Sequence, residues 1–215
     1  MLGLFDSGSG GLNTVRYIKS HLPSIDLVYK IDRKNSPYGT KREQEIAKIT
    51  RENIDELIDR GAERVLIACC TASSVHRLLD EEHKRLSVPI IDCIADAARS
   101  ESENGRIAVV ATERTVLSNA FTNALGGLEV ISIAAQELVE RIDLGLNDST
   151  VTDEDENYIK RIISPLNGNN IDTLILGCTH FPSLKRTFHR VCSPLGVKHI
   201  IDSARIGALA LTKYT

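Results

Sequence analysis

Short apolar runs rich in Val, Ile and Leu recur along the chain, between longer segments whose apolar residues follow a helical spacing. Buried parallel strands joined by crossover helices produce this alternation, because such strands are covered on both faces. The fold class predicted from this pattern is α/β, with enough strands for two sheets. The predicted strands are LGLF at Leu2, DLVYKI at Asp26, RVLIA at Arg64, VPIID at Val88, RIAVVA at Arg106, LEVISI at Leu128, DTLIL at Asp172 and VKHIID at Val197.

The segments between these runs support the same fold class. Between Lys41 and Arg60 the apolar residues stand at three- and four-residue steps, and Gly61 follows at a position typical of a helix C-terminus. Thr112 is the predicted N-cap of a further helix. The polar, acidic stretch 147–157 predicts a surface loop that leads into a helix ending before residue 167.

Composition places the chain among ordinary globular proteins. Its 215 residues are 42% hydrophobic and 26% charged with a net charge of -3, so neither disorder nor nucleic-acid binding is indicated. We expect no signal peptide and no membrane partner, because no apolar run approaches about 18 residues, and we expect a cytoplasmic protein. Cysteine is present 5 times, without a CxxC pair, which favours free thiols over disulfides or structural zinc.

Two segments of the chain have similar sequences. VLIACCTA from Val65 and LILGCTHF from Leu174 are both predicted strands that end in cysteine followed by threonine. Ligands bind at the carboxyl ends of strands in open α/β sheets, so both motifs are expected at a ligand site. If the two halves face each other, the thiols do too. Alignment on the threonines pairs Cys70 rather than Cys69 with Cys178.

Two turns carry further polar groups. The glycine-rich turn from Asp6 to Gly11 precedes a helix, and its free amide groups predict an anion site. It lacks the GxGxxG spacing and the P-loop lysine, so a carboxylate fits better than a nucleotide. A tight turn with a capping aspartate is the alternative. The turn 35–40 offers hydroxyls and amides, although Pro and Gly there also fit a simple turn.

Both strand-end cysteines have candidate proton partners. Cys69 and Cys70 precede a predicted helix, whose dipole favours a thiolate, although two small buried residues would look the same. His180 follows Cys178 by two residues and is a tunable proton partner. A metal site would need more ligands than this motif offers, and none is predicted. Cys93 and Cys192 are interpreted as packing residues.

This set of groups suits proton transfer at a carbon atom. Removing the α-proton of an amino acid is difficult, and no lysine motif indicates a pyridoxal Schiff base. A two-base scheme places one thiol on each face of the carbon, so that one takes the proton while the other returns it. Hydrogen-bond donors then stabilise the charge that develops on the substrate carboxylate.

At this point the sequence resembles a known family. The motifs that carry the resemblance to glutamate racemases are, in order, FDSGSGGL at Phe5, PYGTK at Pro37, ACCTAS at Ala68, ATERTVLS at Ala111, LVE at Leu138, LGCTHFP at Leu176 and DSA at Asp202. The match covers nearly the whole chain. It implies two Rossmann-like lobes related by a pseudo-twofold axis, residues 1–92 plus 198–215 and residues 93–197, with the active site in the cleft between them. It further implies a homodimer, an acidic amino acid as substrate and no cofactor.

The resemblance also assigns roles to residues. Cys69 matches the cysteine that acts on the D-enantiomer and Cys178 the one that acts on the L-enantiomer. Asp6 and His180 match groups that assist these thiols, and Glu140 matches an acid that orients the histidine. The positions that resemble a substrate-binding shell are Ser7, Pro37, Tyr38, Gly39, Cys70, Thr71, Thr112, Thr115 and Thr179.

Two departures from the family pattern leave alternatives open. Cys70 stands where the family usually has Asn, and a thiol lacks the donors and the acceptor of an amide. Besides racemisation of glutamate for peptidoglycan synthesis, aspartate racemisation therefore remains an alternative, as does a two-lobed binding or regulatory protein without turnover. Ser9 replaces a small apolar residue, a change that we expect to matter little.

Overall fold

Two parallel sheets of four strands organise the computed structural model, which describes residues 1–214. The order is β2-β1-β3-β4 in the first sheet and β6-β5-β7-β8 in the second, so the two sheets share one topology. The predicted α/β fold with two parallel sheets is confirmed. The strands are β1 (Leu2–Asp6), β2 (Leu27–Ile31), β3 (Arg64–Ile67), β4 (Ser87–Pro89), β5 (Arg106–Ala111), β6 (Glu129–Ala134), β7 (Thr173–Gly177) and β8 (His199–Asp202).

Helices connect the strands and cover both faces of each sheet. The helices are α1 (Gly11–His21), α2 (Glu43–Asp59), α3 (Cys70–Ser73), α4 (Glu81–Leu86), α5 (Ile90–Glu101), α6 (Glu113–Leu117), α7 (Ala120–Ala124), α8 (Gln136–Asp143), α9 (Asp153–Ile162), α10 (Lys185–Cys192) and α11 (Ser203–Leu211). Short 3-10 turns lie at Tyr38–Thr40, His76–Leu78, Ser164–Leu166, Phe181–Leu184, Ser193–Leu195 and Thr212–Tyr214. Thr112 caps α6 as predicted, because its side chain accepts a hydrogen bond from the backbone N of Thr115.

Three apolar clusters hold these layers together. The largest lies between the two sheets and is built from their inner faces together with α1, α5 and α11. A second cluster packs α8, α9 and α10 on the outer face of the second sheet, and a third packs α2 on the outer face of the first. Strands β1 and β7 are buried at every residue, which explains why they appear in the sequence as continuous apolar runs.

Strand register brings the functional motifs to one edge. Phe5 pairs with Ile67 in the first sheet, and Ala111 pairs with Gly177 in the second. The turns that follow β1 and β3 therefore begin side by side in the first sheet, and those that follow β5 and β7 do so in the second. These turns carry the aspartate, threonine and cysteine motifs identified in the sequence.

Residues 198–215 were predicted to belong to the first lobe. For strand β8, which lies in this segment, the prediction is wrong. Strand β8 pairs with β7 and extends the second sheet, and only α11 returns to pack against α1. The predicted strand from Val88 is also shorter, since α5 begins at Ile90, so the predicted boundary after residue 92 falls inside a helix. The pairing partner of a strand leaves no local trace in one sequence. The division of the remaining chain into one lobe of residues 1–92 and another of residues 93–197 stays a prediction.

None of the helices within residues 1–214 combines the length and the apolar character needed to cross a membrane.

Candidate active site

The carboxyl ends of the central strands open onto one cleft between the two sheets. The space between its lining atoms, including the solvent at its open mouth, is about 470 Å³. Ligands of α/β folds bind at this edge of the sheet. The residues that line the cleft are Ser7, Ser36, Pro37, Tyr38, Gly39, Cys69, Cys70, Thr71, Thr112, Gln136, Val139, Asp143, Gly177, Cys178, Thr179 and His180.

Cys69 is held by polar contacts from its own sheet. It caps α3, and its Sγ accepts a hydrogen bond from the backbone N of Ala72 at 3.4 Å. The Ser7 hydroxyl lies 3.1 Å from the same sulfur. Burial, followed by the charge of Asp6, nevertheless raises the pKa of the Cys69 thiol to about 11. The predicted preference for thiolate is therefore outweighed, and the unliganded thiol is protonated at neutral pH.

Asp6 ends β1 and is completely buried behind the cleft. The backbone N of Gly8 donates to its Oδ1 at 2.8 Å, which holds the glycine-rich turn, whereas helix α1 begins after Gly10 without a side-chain cap. Burial raises the pKa of Asp6, while Gly8 and His180 act in the opposite direction. Its Oδ2 is buried and has no hydrogen-bond partner among the described residues.

Glycine at position 10 allows the two lobes to touch. A Cβ atom there would lie 2.4 Å from Thr179 Oγ1 and 2.7 Å from the Thr179 carbonyl carbon, too close for any side chain. The same approach lets Asn13 Nδ2 donate to the Thr179 backbone oxygen at 2.8 Å. The glycine-rich turn thus brings the first sheet against the turn that follows β7.

Cys178 is coupled to a histidine and a carboxylate. His180 Nδ1 lies 3.6 Å from Cys178 Sγ, and His180 Nε2 lies 3.1 Å from Asp143 Oδ1. Ser9 Oγ donates to the same carboxylate oxygen at 2.8 Å. Burial raises the pKa of Cys178, and the backbone N–H of His180 lowers it. A carboxylate on one ring nitrogen fixes the tautomer, so that the other nitrogen can exchange a proton with the thiol.

The carboxylate that contacts His180 is Asp143, not the predicted Glu140. Glu140 is exposed on α8, one helical turn before Asp143. The residues of α8 that line the cleft are Gln136, Val139 and Asp143, which stand at helical spacing on one face. Position 140 stands four residues after 136 and three before 143, so the same spacing also admits it, although it does not line the cleft. Helical spacing from Gln136 is the sequence signal that could have indicated Asp143, without excluding Glu140.

Hydroxyl groups from both sheets form a cluster beside the thiols. Thr71 Oγ1 lies 3.1 Å from Thr112 Oγ1 and 3.3 Å from Thr115 Oγ1, and the last two are 2.8 Å apart. All three side chains are buried. The cluster offers a small anion several donors from both halves of the molecule.

The turn after β2 is held by a buried tyrosine. Tyr38 OH donates to Asp32 Oδ2 at 2.7 Å, and Asn53 Nδ2 donates to the same oxygen at 3.1 Å. Burial and the Asp32 carboxylate raise the pKa of Tyr38, so its hydroxyl remains a donor committed to Asp32. Its structural effect is to fix Pro37 and Gly39 in the cleft wall.

Comparisons with known proteins identify this arrangement. A family model described as Asp/Glu/Hydantoin racemase matches residues 13–211. The chain belongs to the Asp/Glu/hydantoin racemase family. It is 38% identical over 201 residues to a glutamate racemase of Desulforudis audaxviator, an alignment that covers 90% of this chain and 71% of that protein. The predicted resemblance is confirmed.

Solved racemase structures share the fold over its full length. A glutamate racemase isoform from Bacillus anthracis superposes with a TM-score of 0.88 and 29% identity, covering 100% of this chain and 80% of that one. The glutamate racemase of Francisella tularensis, solved in complex with D-glutamate, gives a TM-score of 0.86 and 29% identity, covering 99% of this chain and 80% of that one. Both have the same two-lobed architecture as this member of the racemase family.

Most residues predicted for the racemase site meet in the cleft. Thr115 contacts the lining residue Thr112 from behind, Asp6 is buried outside the lining and bonds to Gly8, and Glu140 lies outside the cleft. Cys70 does line the cleft, and burial raises its pKa, followed by the charges of Cys178 and Cys69. Within residues 1–214, no three His, Cys, Asp or Glu side chains are grouped as a metal ion would require. The lining residues that were not among the predicted site residues are Ser36, Gln136, Val139, Asp143 and Gly177. Ser36 and Gly177 lie inside segments that the sequence had indicated, and the other three lie on α8.

Proposed function

We propose that this chain interconverts L- and D-glutamate by a two-base proton transfer between Cys69 and Cys178. The observation that carries the proposal is that the two thiols, from equivalent strand ends of two sheets with one topology, line a single cleft. Membership of a racemase family supports the reaction class. The relatives named glutamate racemase, one of them solved with D-glutamate, support the substrate.

The reaction requires one thiolate and one thiol at a time. With L-glutamate, the Cys178 thiolate takes the α-proton, so that the C–H bond breaks and an S–H bond forms. Cys69 then gives its proton to the opposite face of the planar carbanion and becomes the thiolate. The D-enantiomer reacts in the reverse sense. His180 Nδ1 lies 3.6 Å from Cys178 Sγ, a position from which the ring can accept or return the proton of that thiol. We propose that Asp6, whose charge acts on Cys69, assists the other thiol.

The remaining polar groups bind the substrate and its developing charge. The hydroxyls of Thr71, Thr112 and Thr115 are donors for a carboxylate, which becomes more negative as the carbanion forms. Ser7 reaches the sulfur of Cys69. The other substrate-binding residues that we propose are Pro37, Tyr38, Gly39, Cys70 and Thr179.

The test is racemisation of enantiopure L-glutamate without added pyridoxal phosphate or metal, followed by circular dichroism. The expected result is complete loss of optical activity, because the equilibrium mixture contains equal amounts of the enantiomers. An unchanged signal at high protein concentration, together with no α-proton exchange in deuterated water, would favour the alternative of a binding protein without turnover.

Aspartate is a second candidate substrate because Cys70 occupies the cleft wall. A thiol at this position offers less hydrogen bonding to a ligand than an amide would. A parallel assay with L-aspartate separates the two, and a larger kcat/KM for aspartate than for glutamate would reassign the substrate.

The cellular setting is a further part of the proposal. The enzyme works in the cytoplasm as a homodimer and supplies D-glutamate for the peptidoglycan of the cell wall. Analytical ultracentrifugation at micromolar concentration tests the dimer, for which a species of twice the 23.6 kDa chain mass is expected.

A further inference from the structure

Helix α8 closes the cleft from the side of the second sheet, and both of its ends contact loops of the first. At its C-terminal end, Asp143 accepts the hydrogen bond from Ser9. At its N-terminal end, the Gln136 side chain lies over Gly39, where a Cβ atom would come within 2.8 Å of Gln136 Oε1. The absence of a side chain at Gly39 makes this approach possible. Gln136 therefore packs against the backbone of the first lobe at Gly39.

The carboxamide of Gln136 has hydrogen-bonding capacity that the protein leaves unused. Its Oε1 is buried and finds no partner within residues 1–214. Most buried polar side-chain atoms are hydrogen-bonded, and leaving one unpaired is unfavourable. The terminal torsion of glutamine is broad, so a half-turn exchanges the oxygen and the NH2 group without moving the rest of the side chain. With no partner to hold it, the carboxamide is able to turn toward a ligand.

The groups of an acidic amino acid can be matched against the cleft. The threonine cluster is suited to one carboxylate of such a ligand. The second carboxylate also needs donors. Among the described residues that line the cleft, none is Lys or Arg, and Gln136 is the one with a carboxamide. Its NH2 group thus adds a side-chain amide donor for the side-chain carboxylate to the hydroxyls of Ser7, Ser36 and Thr179.

We propose that Gln136 binds the side-chain carboxylate of the substrate through Nε2 and so selects an acidic side chain. This proposal rests on the proposed function, since it takes an acidic amino acid as the ligand. It gives the N-terminal end of α8 a part in substrate choice, while the C-terminal end holds His180.

Calorimetric binding of three ligands to the full chain tests the assignment. L-glutamate carries all three groups, glutarate lacks the ammonium group, and L-norvaline lacks the side-chain carboxylate. Racemisation interconverts species of equal enthalpy, so turnover adds no heat. In Gln136→Met, which keeps the side-chain length, Kd is expected to rise about tenfold or more for glutamate and glutarate, as for a lost hydrogen bond to a charged group. Kd for norvaline is expected to stay within about twofold of wild type.

Gln136→Glu tests the sign of the contact. A carboxylate at this position repels the side-chain carboxylate, so glutamate and glutarate are expected to bind more weakly than they do to Gln136→Met. Tighter binding of glutamate would mean that the contact is to the ammonium group, and would overturn the proposal. Gln44→Met, at an exposed position of α2, is the matched control and is expected to bind all three ligands like wild type.

The remaining outcomes are also decisive. Equal weakening of all three ligands would assign Gln136 a structural role, and unchanged glutarate binding would exclude a carboxylate contact. Thermal unfolding checks that the variants are folded, and Glu in the first turn of a helix is favourable, so Gln136→Glu carries the test if Gln136→Met does not fold. A wild-type protein that binds these ligands but exchanges no α-proton contradicts the proposed racemisation and leaves the Gln136 contact standing.

Discussion

The two walls of the cleft are formed by sheets of the same topology, but the polar groups that contact the thiol differ between them. Cys69 follows β3 and Cys178 follows β7, the equivalent strands of two sheets with the same order. The sulfur of Cys69 contacts a hydroxyl and a backbone N–H of its own sheet. The sulfur of Cys178 contacts His180, whose carboxylate partner also accepts a hydrogen bond from Ser9 of the other lobe.

This difference indicates that the two thiols depend on lobe closure to different degrees. The polar contacts of Cys69 are complete within one lobe and persist if the cleft opens. The contacts that support Cys178 include a bridge across the cleft mouth, from Ser9 to Asp143. The Ser9 substitution, which was expected from the sequence to matter little, therefore lies at the point where the two walls are connected.

The largest effect is expected when either thiol is removed. Cys69→Ser and Cys178→Ser are each predicted to lower kcat for glutamate racemisation by about 10²–10⁴-fold, because a hydroxyl is a far weaker base than a thiolate. Cys93→Ser, at a half-buried position of α5, serves as the control and should retain wild-type kcat. A variant of Cys69 or Cys178 with undiminished turnover would refute the two-thiol scheme.

Removing the side chain that contacts each sulfur should lower kcat by different amounts for the two cleft walls. His180→Asn is predicted to lower kcat by about 10²-fold through loss of a proton-transfer group. Ser7→Ala removes one neutral hydrogen bond to Cys69 and is predicted to lower kcat by only about three- to tenfold. Steady-state kinetics of both variants gives the ratio of the two losses in kcat. Equal losses would mean that the two walls depend equally on their partners.

The pH dependence reports on the thiols together. Burial raises the pKa of Cys69 to about 11 and raises that of Cys178 as well, so both thiols are protonated at neutral pH. Raising the pH increases the fraction with one thiolate, and kcat/KM is predicted to increase about tenfold per unit from pH 7 to 8.5. A rate that is flat or falls over this interval would show that the thiols ionise at lower pH.

A smaller loss of activity is expected at Asp143, whose side chain is half exposed at the mouth of the cleft. Asp143→Asn removes the charge that holds His180 and is predicted to lower kcat about three- to tenfold, since this carboxylate is half exposed and partly screened. Glu140→Gln, the residue indicated by the sequence, is the matched control and should leave kcat unchanged. A larger loss of kcat in Glu140→Gln than in Asp143→Asn would indicate that Glu140 is the partner of His180.

The sequence was informative wherever function depends on residues close together in the chain. The strand-end cysteines, Asp6 and His180 are fixed by strand–turn–helix segments whose local pattern is readable, and the repeated Cys-Thr motif predicted a second, similar sheet. Such segments also explain why Thr112 was identified as a cap. Register within each sheet then brought these turns to one edge, as parallel pairing requires.

What could not be predicted depends on how distant elements meet. Asp143 and Glu140 are both carboxylates on α8, and the choice between them depends on the rotation of that helix about its axis against the cleft. Gln136 and Ser9 acquire their roles through contacts with the opposite lobe. The place of β8 in the second sheet is likewise a long-range pairing that one sequence does not encode locally.

The most direct test of opposed thiols is the position of solvent deuterium early in the reaction. With L-glutamate in deuterated water, the D-glutamate formed at low conversion is predicted to carry deuterium at the α-carbon, while the remaining L-glutamate keeps its hydrogen. This follows if one thiol removes the proton and the other, on the opposite face, supplies a deuteron. Deuterium that enters both enantiomers equally at low conversion would show that one group serves both faces, and would contradict the account.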